Sequence, residues 1–229
     1  MELIYHGHSC VQLTSGEHSL IIDPFLSGNP LSVTKPEDVK VQYILLTHAH
    51  QDHILDAVPI AKANGAKIVA TFELANLMRW RGAQTIEVNL GGSVDLGFAK
   101  AQLVQAFHSS GIVIEEDQRI FYAGMPGGYI IQCEGKTIYH AGDTALFSDM
   151  KMFGELYEID LAFLPIGDTY TMGPRDAAIA AEWLKAKHVV PIHHNTFPPI
   201  RQEVEAYIEL LRERGIQGTS MKPGDRMQV

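Results

Sequence analysis

The segment Thr47-His48-Ala49-His50-Gln51-Asp52-His53 packs three imidazoles and one carboxylate into six residues. Buried without partners, these groups would carry a large desolvation cost, so packing alone does not account for them. Neutral imidazole and carboxylate are suitable ligands for zinc, and also for manganese or iron. In an extended or turning segment, His48 and His50 project to one side while Asp52 and His53 reach elsewhere. Such a segment can feed two adjacent metal sites, which need more ligands than it supplies. His108, Asp143 and the pair His193-His194 meet that need, because each follows an apolar strand, at residues 103–107, 137–140 and 189–192. Gly142 lets the backbone turn tightly just before Asp143. One of His193 and His194 is expected to be a ligand. A single strand-end histidine or Gly-Asp turn is commonly structural, but four strand ends delivering His or Asp form a coherent pattern.

The elements that position these residues follow from hydrophobic patterning. Short strands are expected at 3–5, 11–13 and 20–22, then a loop over 27–40 containing Gly28, Pro30 and Pro36. The run 41–47 is apolar enough for a covered strand. The histidine-rich segment therefore lies on the loop at its C-terminal end, where ligands commonly bind in α/β sheets. A helix is expected over 54–64, with Leu55, Val58 and Ala61 on one face and Gly65 as its stop. Further strands are expected at 68–71, 103–107, 119–122, 137–140, 161–164 and 189–192. Further helices are expected at 73–81, 145–153, 175–185 and 201–214, the last with Val204, Ile208 and Leu211 on one stripe. The loops 24–40, 109–118 and 167–174 should shape the pocket. No linker, repeat or low-complexity tract divides the chain, so residues 1–229 read as one α/β domain of sheets covered by helices.

Composition narrows the functional classes. The chain has 229 residues, 46% hydrophobic and 20% charged, which fits a globular protein with a substantial core. The net charge of −9, with no concentrated Lys/Arg stretch, argues against nucleic acid as a partner. A small anionic substrate remains compatible, because bound metals invert the local potential. No apolar run approaches the ~20 residues that span a bilayer. The first residues lack the basic and apolar regions of a signal peptide, so a cytoplasmic protein is expected. Cys10 and Cys133 read as two separate core thiols with no catalytic part.

The motifs together resemble the metallo-β-lactamase superfamily. The resemblance rests on the HxHxDH segment (His48, His50, Asp52, His53) and the later His108, Asp143 and His193 in the same order. More narrowly, the chain is similar to short metal-dependent hydrolases related to L-ascorbate-6-phosphate lactonase. Gly7-His8-Ser9, Asp23-Pro24, His140-Ala141-Gly142-Asp143-Thr144, Pro165-Ile166-Gly167-Asp168 and Pro191-Ile192-His193 with Thr196-Phe197-Pro198 carry that likeness. The resemblance implies a four-layered αββα sandwich with metals at one edge. It implies one metal on His48, His50 and His108, a second on Asp52, His53 and His193, and Asp143 between them. His193 is taken over His194 because it fills the histidine position of the strand-end motif.

The implied chemistry is hydrolysis by a hydroxide shared between two divalent ions, zinc first and manganese as the alternative. Asp52 and Asp143 would orient the nucleophile, and one of them would handle its proton. A small molecule with an ester or lactone bond is the expected substrate. The alternatives are a phosphodiester and a non-catalytic, metal-binding regulatory role; the filling of all seven ligand positions favours an enzyme. Classical β-lactamases, diiron flavoproteins, glyoxalase II thioesterases and RNA-processing members each carry features that this chain lacks. Self-association into a homo-oligomer is left open. Three weaker signals also stay open. His8 could face the pocket or be structural. Asp23 could support a ligand histidine, although a turn-forming Asp-Pro is the preferred reading. Asp168 could border the pocket.

Overall fold

The computed structural model describes residues 1–229. Strands β1 (Glu2–Gly7), β2 (Cys10–Ser15), β3 (His18–Ile22), β4 (Tyr43–Leu45), β5 (Lys67–Thr71) and β6 (Gln84–Val88) lie side by side in one sheet. A second sheet holds β7 (Ser93–Asp95) and β8 (Lys100–Gln105) at one side. The chain then leaves it for a two-stranded hairpin, β9 (Gly111–Ile114) and β10 (Arg119–Tyr122). It returns through β11 (Gly127–Cys133), β12 (Lys136–His140), β13 (Leu161–Pro165), β14 (His188–Ile192) and β15 (Gln217–Gly218), and β16 (Arg226–Gln228) closes back onto β1 in the first sheet. In each large sheet an antiparallel part is followed by a parallel one, β3 to β6 in the first and β12 to β15 in the second.

Alternation along the strands explains the layers. Leu20 and Ile22 face a central cluster with Leu45, Tyr129, Phe163 and Ile192, whereas Ile21 between them faces the outer side. That outer side is covered by α1 (Gln51–Ile54), α2 (Ala57–Asn64) and α3 (Phe72–Trp80), through residues such as Ile60 and Leu74. The second sheet's outer face is covered by α4 (Met150–Leu156), α5 (Pro174–Trp183) and α6 (Val204–Glu213), through Phe153, Ala177 and Tyr207. Helices, two sheets and helices make the expected αββα sandwich. No helix is long and apolar enough to cross a membrane. Cys10 and Cys133 are both buried and unpaired.

Several expected boundaries shift. The strand expected over 41–47 contracts to β4, with Leu46 and Thr47 already leaving the ladder. The helix expected over 54–64 is two helices, α1 and α2, and Asp52 and His53 sit on α1 rather than on a loop. Pro59 has no N–H to donate to Leu55, which prevents a continuous helix there. Gly65 closes α2 at φ 64°, as expected. The segment 109–118, read as a loop, supplies β9 of the hairpin.

At one edge of the sandwich, main-chain and side-chain hydrogen bonds tie the two sheets together. Gly127 N–H donates to Thr47 O at 2.9 Å and His193 N–H to His8 O at 2.8 Å. The Tyr129 hydroxyl donates to Leu46 O at 3.0 Å, and His140 Nε2 donates to Ser9 O at 2.9 Å. This is the edge to which β4, β12 and β14 point their C-terminal ends.

Candidate metal centre

Asp23 follows β3 directly, one step beyond the Ile22–Leu45 register, and so reaches the backbone that leaves β4. Its carboxylate accepts from Thr47 N–H at 2.8 Å, Thr47 Oγ1 at 2.6 Å and His53 Nδ1 at 2.8 Å. The bond to His53 turns that ring so that Nε2 faces the centre. Asp23 is thus a buried support for a candidate ligand, and the turn-forming reading preferred from sequence is corrected.

His48 leaves β4 with its ring buried, Nδ1 at 3.0 Å from Thr47 Oγ1. Its Nε2 lies 2.9 Å from His50 Nδ1, and His108 Nε2 lies 3.2 Å from the same atom. Asp143, at the tight turn after β12, puts Oδ2 at 3.1 Å from His193 Nε2 and 3.3 Å from His53 Nε2. The same oxygen is 3.6 Å from His108 Nε2 and 3.9 Å from His48 Nε2. Asp52 Oδ2 is 3.7 Å from His193 Nε2 and 4.0 Å from His53 Nε2.

The potential ligand atoms fall into two main groups, His48–His50–His108 and His8–Asp52–His53–His193, with members of each within 4.8 Å of one another. A third combination, Asp23–His48–His53, shares residues with both, but the Asp23 carboxylate already accepts three hydrogen bonds. All seven residues named from sequence come together. His193 faces Asp143, whereas both ring nitrogens of the buried His194 lack a partner and His194 joins neither group.

A cation suits this cluster chemically. His53 Nε2 and Asp143 Oδ1 are buried and have no hydrogen-bond partner, an arrangement that is costly unless something binds there. Burial pulls the imidazolium of His48, His50 and His108 down, to about 4 for His108, so these rings offer bare nitrogens at neutral pH. Burial also opposes charge on His53 and His193. There Asp143 outweighs it, raising His193 to about 9 and His53 well above its ordinary value. Burial would likewise push Asp143 and Asp52 up, but the neighbouring imidazoles hold both carboxyls well below the usual range. Divalent ions would take the place of the protons that now balance these carboxylates.

Residues 18–194 match the β-lactamase superfamily domain model. The chain belongs to this superfamily, as a metal-dependent hydrolase. A UPF0173 metal-dependent hydrolase of Geobacillus thermodenitrificans is 53% identical over 229 residues, covering both chains completely. YtkL, a UPF0173 metal-dependent hydrolase of Bacillus subtilis, is 52% identical with the same full coverage. Among solved structures, the metallo hydrolase Igni18 of the archaeon Ignicoccus hospitalis is 37% identical with a TM-score of 0.90, over 100% of this chain and 98% of that one. The sequence-based expectation of a metallo-β-lactamase sandwich and hydrolase family is met.

Beside the cluster, His50 also borders a cavity of about 560 Å³ between α1 and the β9–β10 hairpin. Its lining includes Ile54, Leu55, Ile112, Val113 and Ile114, and Arg81, Glu115 and Glu116 add charge of both signs. Asp168, which sequence left as a pocket candidate, is exposed and lines a different cavity with Gly173 and Arg175. The sequence assigns no supporting role to Thr47, Ser109 or Thr196. Ser109 Oγ lies 3.3 Å from His50 Nε2, and Thr196 Oγ1 lies 2.9 Å from His8 Nδ1. Their only sequence signal was adjacency to a candidate ligand or a motif. The left-handed backbone at His8 (φ 56°), Asp23 (φ 47°) and His193 (φ 51°) was not signalled at all.

Proposed function

We propose that the chain is a binuclear hydrolase that cleaves an ester or lactone bond of a small molecule. The observation that supports this reading is the position of Asp143 Oδ2, within 3.1–3.9 Å of Nε2 atoms belonging to both ligand groups. His48, His50 and His108 would hold one ion, Asp52, His53 and His193 the other, and Asp143 would serve both. Divalent ions there, zinc by preference and manganese as the alternative, would lower the pKa of a water toward neutrality and polarise the bond under attack.

The chain's own residues have distinct tasks. The Asp52 side chain is 30% exposed whereas that of Asp143 is 3%, so Asp52 is the carboxylate that meets incoming water. It orients that water and accepts its proton. The apolar walls of the hairpin cavity receive the uncharged part of the substrate and keep bulk water from it. Neither thiol serves as a nucleophile, because both cysteines are buried and burial holds their pKa up. A small-molecule substrate rather than nucleic acid, and a cytoplasmic setting, belong to the same proposal.

The test is elemental analysis of the protein after reconstitution with zinc or manganese, followed by a panel of chromogenic esters, lactones and phosphodiesters. About two ions per chain, falling in Asp143→Ala, with turnover of esters or lactones, is the expected result. One ion per chain would refute the shared role of Asp143, and none would refute the mechanism. Turnover confined to phosphodiesters would replace the substrate class.

A further inference from the structure

His8 lies outside residues 18–194, the stretch that carries the superfamily match, yet it sits against the second ligand group. The turn between β1 and β2 holds it in the left-handed region, and its side chain is 0% exposed, so it cannot touch a substrate. Its ring makes two hydrogen bonds. Nδ1 lies 2.9 Å from Thr196 Oγ1, and Nε2 lies 3.0 Å from Asp52 Oδ2. Its carbonyl accepts from the Tyr5 hydroxyl at 3.0 Å and from His193 N–H at 2.8 Å. Phe25 and Phe197 stand edge-on to the ring at 5.4 and 5.7 Å between centroids, which prevents it from swinging.

The partners determine the protons. An ionised Asp52 can only accept, so Nε2 carries the hydrogen and donates it. Nδ1 is then a bare acceptor, and the Thr196 hydroxyl donates to it. Asp52 Oδ2, the oxygen that faces His53 and His193, has a further lone pair left for an ion. We infer that His8 is a positioning residue: the chain Thr196–His8–Asp52 aims the Asp52 carboxylate at the second ion, while the His8 carbonyl fixes the backbone of His193. This rests on the two-ion reading above. His8 acts as a donor to a ligand rather than as a ligand, because its Nε2 hydrogen already points at Asp52.

The experiment compares the native protein with His8→Ala, His8→Gln and Thr196→Val. Each is stripped by a chelator and titrated with zinc against a chromogenic competitor. Elemental analysis of each loaded protein gives the number of ions. In His8→Ala the second ion should bind about 10–100-fold more weakly while the first is unaffected, as is usual when an outer support of a ligand is removed. In His8→Gln, whose amide N–H falls near the place of Nε2–H, most of that affinity should return. Thr196→Val, which leaves the ring in place, should weaken the second ion in the same direction by a smaller factor. A second-ion affinity in His8→Ala equal to the native value would overturn the inference. So would a His8→Gln variant as weak as His8→Ala, which would make the ring itself a ligand. If His8→Ala does not fold, Thr196→Val decides, and an unchanged affinity there overturns the role. A native protein that binds fewer than two ions defeats the two-ion reading and this inference together. Two ions in the native protein with unaltered variants defeats this inference alone.

Discussion

Asp143 and Asp23 show how differently two buried carboxylates can serve one centre. Asp143 is aimed inward at four imidazoles, and its Oδ1 has no partner within the chain. Asp143→Asn keeps the shape but removes the charge, so at least one ion should be lost from a protein loaded with zinc, as elemental analysis would read. Asp23 is aimed away from the centre and saturated by Thr47 and His53. In Asp23→Asn an amide hydrogen must face one of those donors. The metal-free protein should lose about 1–3 kcal/mol in urea denaturation, and zinc affinity should fall by about 10–100-fold. A variant with native stability and native affinity would show that Asp23 does not orient His53. The candidate ligands that the structure brings together were legible in the sequence because metal chemistry demands unusual residue types at close spacing. Asp23 was not, because an Asp-Pro at a strand end looks the same whether it forms a turn or supports a histidine three-dimensionally adjacent to it. Only the parallel pairing of β3 with β4 distinguishes the two.

At the scale of elements, the ends of parallel strands do the positioning, and the turn after β12 is tightly packed. Gly142 has φ 61°, and a Cβ there would lie 2.8 Å from Gly127 O and 2.8 Å from Thr47 Cβ. Gly142→Ala should therefore cost about 1–2 kcal/mol for the left-handed backbone and a further ~1–3 kcal/mol for crowding. Native urea stability in that variant would show that the turn relaxes freely. The covered strands were readable because both faces are apolar, as in β13, and the helices because their stripes are. The β9–β10 hairpin was half missed for the opposite reason. Its residues are half-buried or exposed, including Val113, Ile120 and Tyr122, so no alternation marks a buried face. If the hairpin walls the substrate cavity as proposed, replacing residues 112–121 with a short turn should raise KM on the ester substrate. Zinc content should stay unchanged, since no candidate ligand lies in that segment. Loss of zinc with the hairpin would mean that it supports the centre instead.

For the whole molecule, ions that bind only the folded chain must stabilise it. At a free concentration of about a thousand times Kd, each ion adds roughly 4 kcal/mol. For a chain of this size that is on the order of 8–16 °C in Tm, since 1 kcal/mol moves it by about 2–4 °C. Calorimetry before and after chelation should show a fall of at least that size, and no fall would argue against specific binding. The left-handed turns at His8, Asp23 and His193 add a consequence of another kind. Such conformations cost about 1–3 kcal/mol each and persist only where the surroundings impose them. Here hydrogen bonds within the chain help to impose them, His193 N–H to His8 O and Asp23 to Thr47 and His53. After chelation the site should therefore behave as a rigid socket. Ions should enter and leave without refolding, the far-ultraviolet circular dichroism of stripped and loaded protein should superimpose, and one metal should exchange for another at a rate governed by ligand dissociation rather than by any opening of the fold.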